Sequence, residues 1–122
     1  MTRPNASIKV AKSPIHGRGV FAVRRIETGR VVDRGYVLPF AETEAGESSI
    51  IDRYTFDYDG TIECLVLGVA SLCNHDEQAN AEVEIDEEAG TYRLVALRPI
   101  ERGEELFIDY GSEYWEQPGV IR

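Results

Sequence analysis

The chain has 122 residues, 43% of them hydrophobic, which suits one domain, residues 1–122, with a single modest core. No stretch approaches the roughly 20 uninterrupted apolar residues of a membrane span, and the first residues lack the apolar segment of a secretory signal. These features predict a soluble, intracellular protein of the cytoplasm, nucleus or nucleoid. The formal net charge of −9 argues against direct nucleic-acid binding, which needs concentrated Lys and Arg. The negative charge either keeps the protein soluble or favours binding to a basic partner.

Cysteine and histidine are too sparse in this sequence to predict a metal centre. Cys64 and Cys73 lie nine positions apart, without a CxxC motif or a Cys/His pair at zinc spacing. The two histidines, His16 and His75, are far apart in the chain. We expect two reduced, buried thiols that pack as small hydrophobic side chains, and no bound metal.

Short β-like runs bounded by turn residues recur along the chain and predict a mainly β fold. Helix signals are confined to residues 48–53 and to a single turn near residues 66–72. Residues 41–49 are polar and lack periodicity, which predicts a variable surface loop, and residues 112–122 form a C-terminal tail. The predicted strands are residues 8–12, 19–23, 30–40, 61–67, 81–86, 92–97 and 106–110.

The run at residues 81–86 alternates acidic and apolar side chains, which places carboxylates on one face of a strand. Residues 87–90 then predict a hairpin turn into the next strand. The acidic face is either a solvated surface or a docking surface for a basic substrate segment. The alternating residues are Glu82, Val83, Glu84, Ile85 and Asp86.

Two similar corners are predicted from an internal echo. Residues 24–29, RRIETG, resemble residues 98–103, RPIERG, and each precedes a predicted strand. In both, the isoleucine can enter the core while the glycine permits a tight reversal. Two such units are too few for a repeat protein, which needs at least three.

Three separated segments carry the candidate functional residues. Residues 16–22, HGRGVFA, contain two glycines that let the backbone approach a ligand closely. Residues 72–81 contain Asn74 and Asn80, whose amides suit the binding of a polar small molecule. Residues 103–111 place Tyr110 at the end of an apolar strand, where its hydroxyl can enter a pocket. Taken singly, each segment is explained as well by turns and core packing.

Together and in this order, HGRGVFA, NHDEQANA and EELFIDYG resemble the SET family of protein lysine methyltransferases over nearly the whole chain. The sequence is most similar to the minimal viral SET proteins, which end in a similar Tyr-Gly-x-x-Tyr-Trp. The resemblance implies a SET fold of several small β-sheets with few short helices. It also implies a knot-like crossing in which the C-terminal segment threads a loop, an exception to the usual unthreaded connections.

The resemblance also implies a cofactor, S-adenosylmethionine, and a substrate, a lysine side chain of a basic protein or peptide. Tyr110 and Tyr54 are the implied catalytic residues, at the methyl-transfer channel and in the lysine tunnel. The implied cofactor-binding residues are Arg18, Gly19, Asn74, His75 and Tyr110. The implied substrate-binding residues are Tyr54, Ile108, Tyr114 and Trp115.

The chemistry of methyl transfer suits such residues. The reaction is an in-line displacement from a sulfonium to a neutral amine, so the lysine, whose usual pKa is about 10.4, must first lose its proton. A desolvated aromatic channel beside a positive sulfonium lowers that pKa through burial and like-charge repulsion. Alignment of the reactants contributes roughly 7 to 11 kcal/mol, and no acid, base or metal is strictly required.

The sequence departs from the larger family members because it has no cysteine-rich segment after Tyr110 or before the domain, so the zinc-bound lid is missing. Substrate closure then falls to residues 112–122 or to a second subunit of a homodimer. The missing lid leaves open a non-catalytic SET-like module that binds S-adenosylmethionine or a peptide, because a fold does not guarantee activity. A purely structural β-rich interaction domain is a third alternative.

Ile108 occupies the place where many SET proteins carry the Phe or Tyr that sets the methylation degree. An apolar side chain there cannot anchor a water through a hydroxyl, so we expect more than one methyl group to be added to the target lysine. Mass spectrometry of the methylated product measures this. A product that stays monomethylated at long reaction times contradicts the expectation.

Overall fold

The computed structural model describes residues 7–40, 55–57 and 63–109. In chain order these residues form nine strands and one short 3-10 helix between β5 and β6. No helix within these ranges is long and apolar enough to cross a membrane. The elements are β1 (Ile8–Lys12), β2 (Arg18–Ala22), β3 (Val31–Phe40), β4 (Thr55–Asp57), β5 (Glu63–Leu67), the 3-10 helix (Val69–Leu72), β6 (Asn74–His75), β7 (Ala81–Asp86), β8 (Thr91–Ala96) and β9 (Glu105–Ile108).

The strands form two sheets around one core. The first sheet has the order β1-β2-β9-β6, in which β6 and β9 pair parallel and the other neighbours antiparallel. The second sheet has the order β4-β5-β3-β8-β7 and is antiparallel throughout. Both sheets contribute to one buried apolar cluster, which includes Val20 and Leu106 from the first and Val37 and Leu94 from the second.

The mainly β prediction and most of the predicted strands are confirmed. The predicted bounds of β1 and β7 match the structure, and the turn near residues 66–72 is the 3-10 helix. Strands β4 and β6 were not predicted, because three and two residues are too few to show a period of two. The expected loop at 41–49, the expected helix at 48–53 and the tail at 112–122 lie outside the described residues.

The predicted hairpin joins β7 to β8. Residues 87–90 form the turn, in which the Gly90 N–H donates to the Asp86 carbonyl (2.9 Å) and Gly90 has a positive φ of 70°. Glu82 and Asp86 are exposed on β7, while Glu84 is partly covered and lies 2.6 Å from the Arg93 guanidinium. β7 therefore presents an acidic face, and the carboxylate in the middle of that face, Glu84, forms an ion pair with Arg93.

The two echoing corners pair with each other through the core. Ile26 and Ile100 are both fully buried and exchange reciprocal backbone hydrogen bonds of 2.8 and 2.9 Å. The bonds around this bridge occur in matching pairs. The Ala22 N–H donates to the Glu104 carbonyl and the Ala96 N–H to the Arg30 carbonyl, while the Gly103 N–H donates to the Ala22 carbonyl and the Gly29 N–H to the Ala96 carbonyl. The sequence echo thus reflects a local two-fold arrangement.

Both cysteines are buried thiols, as expected. Burial, together with the nearby carboxylates of Asp33 and Glu105, raises the pKa of the Cys73 thiol far above its usual range. Cys73 is therefore a neutral packing residue and not a thiolate nucleophile.

A buried carboxylate holds the 3-10 helix against the second sheet. Asp33 is only 5% exposed, and its Oδ2 accepts hydrogen bonds from the Ala70 N–H (3.2 Å) and the Tyr92 hydroxyl. A Cβ at Gly68 would lie 1.8 Å from the Tyr92 hydroxyl oxygen, so only glycine fits beside this pair. The turn that leads into β6 is therefore fixed by Asp33 and Tyr92.

Replacing Tyr92 by Phe removes one of the donors to this buried carboxylate. We expect the free energy of unfolding to fall by about 1–3 kcal/mol, because a buried acceptor loses its partner. Urea denaturation at pH 7 measures the change. Tyr36→Phe is the matched control, since Tyr36 is 70% exposed on β3, and an equal loss in both variants contradicts the assignment.

Alkaline pH supplies an independent check of the same contact. Burial and the hydrogen bond to Asp33 raise the pKa of Tyr92, whereas an unfolded tyrosine ionises near pH 10. A raised native pKa gives stability that is complete below about pH 10 and is lost as the pH rises further. The stability difference between the wild type and Tyr92→Phe should therefore narrow above pH 10; a constant difference speaks against a protonated Tyr92 donor.

Candidate functional site

The first sheet brings the three candidate segments side by side. The first segment contains β2, the second contains β6 and the third contains β9, and β9 lies between the other two. Val20 pairs with Leu106 across β2 and β9, and Asn74 pairs with Phe107 across β6 and β9. Segments far apart in the chain therefore become neighbours in this sheet.

Asn74 ties the first segment to the third. Its Nδ2 donates to the backbone carbonyls of His16 (3.0 Å) and Arg18 (3.3 Å) and to Glu105 Oε2 (2.8 Å). All three partners are acceptors, so the orientation of the amide is determined by its surroundings. Arg18 itself is exposed and contributes its carbonyl.

The other end of the Asn74 amide is its oxygen, Oδ1. Asn74 is 7% exposed, and within the described part of the chain no N–H or O–H donates to its Oδ1. A buried acceptor without a donor is costly, and most such atoms in proteins have a partner. The site therefore offers one acceptor to the donor group of a ligand.

Glu105 is a hydrogen-bond partner of Asn74 that could not be recognised as such from the sequence motifs. It is 8% exposed, and its carboxylate accepts from the Ser13 hydroxyl (2.8 and 3.1 Å) and from Asn74. Ser13 in turn accepts from the Ile15 N–H (3.0 Å), which shapes the loop before β2. A signal existed in the sequence, because a glutamate beside the apolar run Leu106 to Ile108 in a central strand needs buried partners.

The Glu105 carboxylate leaves no room for a side chain at Gly19. A Cβ at position 19 would lie 2.3 Å from Glu105 Oε2 and 3.2 Å from the Ser13 Cβ. At this glycine the structure thus shows the close approach of a protein carboxylate, and the expected approach of a ligand stays a prediction. At Gly17, in contrast, a Cβ would meet no atom within 4 Å, and glycine is required there for its positive φ of 50°.

The two asparagines have different surroundings. Asn80 is 1% exposed; its Oδ1 accepts from the Phe107 N–H (2.8 Å) and its Nδ2 donates to the Glu105 carbonyl (2.9 Å). Both ends of this amide are satisfied by the backbone of β9. Asn80 therefore holds the strand, and Asn74 is the asparagine available to a ligand.

His75 and Ile108 pair across β6 and β9. The His75 Nδ1 lies 3.7 Å from the Asp109 carboxylate, and Ile108 is buried at 3% exposure. Ile108 thus belongs to the buried apolar cluster, and its predicted role in substrate binding stays a prediction. The remaining predicted site residues, Tyr54, Tyr110, Tyr114 and Trp115, lie outside the described residues, and their roles stay predictions.

Asn80→Ala should destabilise the fold, since two buried backbone groups of β9 lose their partners. We expect the free energy of unfolding to fall by about 2 kcal/mol or more, at about 1–3 kcal/mol for each unsatisfied group. Thermal or urea denaturation measures the loss. Gln78→Ala, at an exposed position two residues earlier, should stay within about 0.5 kcal/mol of the wild type, and a similarly small loss for Asn80→Ala refutes the assignment.

Comparison with known proteins places this geometry in a family. The SET domain model matches residues 17–111. A Schizosaccharomyces pombe protein named histone-lysine N-methyltransferase, H3 lysine-37 specific, is 31% identical over 118 residues, which cover 88% of this chain and 80% of that protein. Human histone-lysine N-methyltransferase 2B is 33% identical over 115 residues, or 85% of this chain but 4% of the human protein.

The fold is similar to a solved structure as well. A crystal structure of a Plasmodium falciparum protein described as a histone methyltransferase has a TM-score of 0.75 and 23% identity, and it covers 94% of this chain and 99% of that one. The likeness to the minimal viral members stays a prediction, since these relatives are fungal, human and protozoan. The SET model spans all three segments that meet at the Asn74 site, and the chain belongs to the SET-domain family.

Proposed function

We propose that this SET domain uses S-adenosylmethionine to methylate lysine side chains of a basic protein. The chain is a protein-lysine N-methyltransferase, as several of its SET-domain relatives are histone-lysine N-methyltransferases. The cofactor, the substrate class and the site roles are our proposals. A non-catalytic module that binds the cofactor or a peptide is the alternative that an experiment must separate from the enzyme.

The observation that carries the cofactor proposal is the buried Asn74 Oδ1, to which no described residue donates a hydrogen bond, while Nδ2 is held by three acceptors. The amino-acid end of S-adenosylmethionine carries an ammonium group, which donates hydrogen bonds and has no acceptor of its own. A buried amide oxygen with no described donor is a suitable partner for that group. When bound, the cofactor supplies a methyl group on a positively charged sulfur.

The acidic surface supports a basic substrate. The net charge is −9, and Glu82 and Asp86 expose their carboxylates on β7. Such a surface attracts Lys- and Arg-rich segments and raises the rate of encounter with them. Histone-like tails and other basic proteins share this chemistry, and a soluble, intracellular location in the cytoplasm, nucleus or nucleoid follows from the same proposal. A homodimer would complete the substrate side of the site.

The roles of the chain's own residues follow from the chemistry of the amine. In our proposal Tyr54 and Tyr110 line the lysine channel, exclude water and orient the neutral amine through their rings and hydroxyls. Ile108 narrows the wall without offering a hydrogen bond. Tyr114 and Trp115 close the apolar side, and alignment of the amine contributes the greater part of the rate enhancement.

The first experiment combines calorimetry with methyl transfer. Purified protein is titrated with S-adenosylmethionine, and labelled-methyl transfer is followed onto a panel of lysine-rich proteins. Binding with transfer supports the proposal and indicates the substrate class. Binding without transfer favours the non-catalytic module, and the absence of binding refutes the cofactor site.

Tyr110→Phe should abolish turnover and leave cofactor affinity within about threefold, because the hydroxyl acts on the amine and the ring is retained. Labelled-methyl transfer and calorimetry on the same preparation separate the two effects. Tyr36→Phe, on an exposed position of β3, is the control for loss of a tyrosine hydroxyl. Unchanged turnover in Tyr110→Phe removes Tyr110 from the proposed role.

A further inference from the structure

Glu105 is a buried carboxylate to which the proposed function assigns no role. Its two oxygens accept from one hydroxyl and one amide, Ser13 and Asn74, and no ion pair of the described residues includes it. Burying an ionised carboxylate is expensive, and neutral donors offset that cost only in part. A charge kept in such a place, beside the proposed cofactor site, calls for an explanation.

The explanation lies in the Asn74 amide. Three acceptors surround its nitrogen: the carbonyls of His16 and Arg18 and the carboxylate of Glu105. If the amide rotated by 180°, its oxygen would face these three acceptors and the Glu105 charge. Glu105 therefore holds the nitrogen end in place, and the oxygen end is left without a described donor.

We propose that Glu105 is a positioning residue of the cofactor site: by fixing the Asn74 amide it presents Oδ1 to the ammonium group of the cofactor, so that it determines affinity for the amino-acid end of that ligand. The inference rests on the proposed function. Gly19 is part of the same arrangement, because any Cβ at position 19 would displace the Glu105 carboxylate. Glutamine is a poor substitute, because it carries no charge and replaces one of the two acceptor oxygens by a donor, so that a single oxygen must accept from both Asn74 and Ser13.

Two commercial probes separate positioning from general structural support. S-Adenosylhomocysteine carries the adenosine and the amino-acid end with its ammonium group. 5′-Methylthioadenosine carries the adenosine and the sulfur but no ammonium group. A variant that merely loosens the fold lowers the affinity for both probes alike. Loss of the Asn74 orientation lowers only the affinity for S-adenosylhomocysteine.

The experiment measures both dissociation constants by calorimetry for the wild type and Glu105→Gln. We expect the affinity for S-adenosylhomocysteine to fall by about tenfold or more and that for 5′-methylthioadenosine to change by less than about twofold. Glu104→Gln is the matched control. It makes the same substitution one residue earlier, where the carboxylate is partly exposed and lies 3.6 Å from Arg98, and it should leave both affinities unchanged.

The possible outcomes are distinct. The positioning role is overturned if Glu105→Gln lowers the affinity for both probes equally, or if it leaves the affinity for S-adenosylhomocysteine unchanged. A wild type that binds neither probe overturns the proposed function itself, before any variant is compared. Selective weakening of S-adenosylhomocysteine supports the proposal.

A second variant and a variant-free measurement guard against a failure of Glu105→Gln to fold. Glu105→Asp keeps the charge but shortens the side chain by one methylene, so it should show the same selective loss. In the wild type, the Asn74 side-chain NH₂ protons should exchange slowly with solvent in NMR spectra recorded without ligand. Fast exchange shows that the amide is not held and contradicts the proposal.

Discussion

The first sheet is organised around the buried carboxylate of Glu105. A carboxylate in such a place needs hydrogen-bond donors, and the described residues supply them from two elements: Ser13 in the loop before β2 and Asn74 in β6. Gly19 follows from this constraint, since the carboxylate occupies the space of a side chain at that position. The orientation of Asn74 follows as well, because its nitrogen must face the acceptors around it. One buried charge thus accounts for several sequence features that otherwise look independent.

The second sheet uses the same principle for a different purpose. Asp33 is also buried and acidic, but its Oδ2 accepts from the Ala70 N–H of the 3-10 helix and from the Tyr92 hydroxyl, and so joins two parts of the scaffold. Asn80 likewise uses both ends of its amide to form hydrogen bonds with the backbone of β9. Buried polar residues in this domain therefore fall into those that complete the scaffold and those that leave an atom for a ligand. The difference is set by the number of protein partners and not by residue type.

Much of this architecture could be predicted from the sequence, and the failures have physical causes. β7 was predictable from its alternating acidic and apolar residues and β1 as a β-like run that ends before the turn at Pro14, while the paired corners were visible as an echo of residues 24–29 in 98–103. β4 and β6 were not, because such short strands are created by their neighbours in the sheet. At the site, the three segments and Asn74 were identified by family resemblance, but the distinction between Asn74 and Asn80 needs the positions of their hydrogen-bond partners. Glu105 looked like one more surface acid in a chain with 22 Asp and Glu residues.

The bridge between Ile26 and Ile100 has a consequence for biosynthesis. A ribosome makes the first corner long before the second, and Ile26 has no partner until residue 100 has emerged from the exit tunnel. During that interval an isoleucine that is fully buried in the finished domain stays accessible to other chains and to chaperones. Contacts between residues so far apart in sequence also slow folding after release. The first corner is therefore exposed to aggregation until the second corner is available to pair with it.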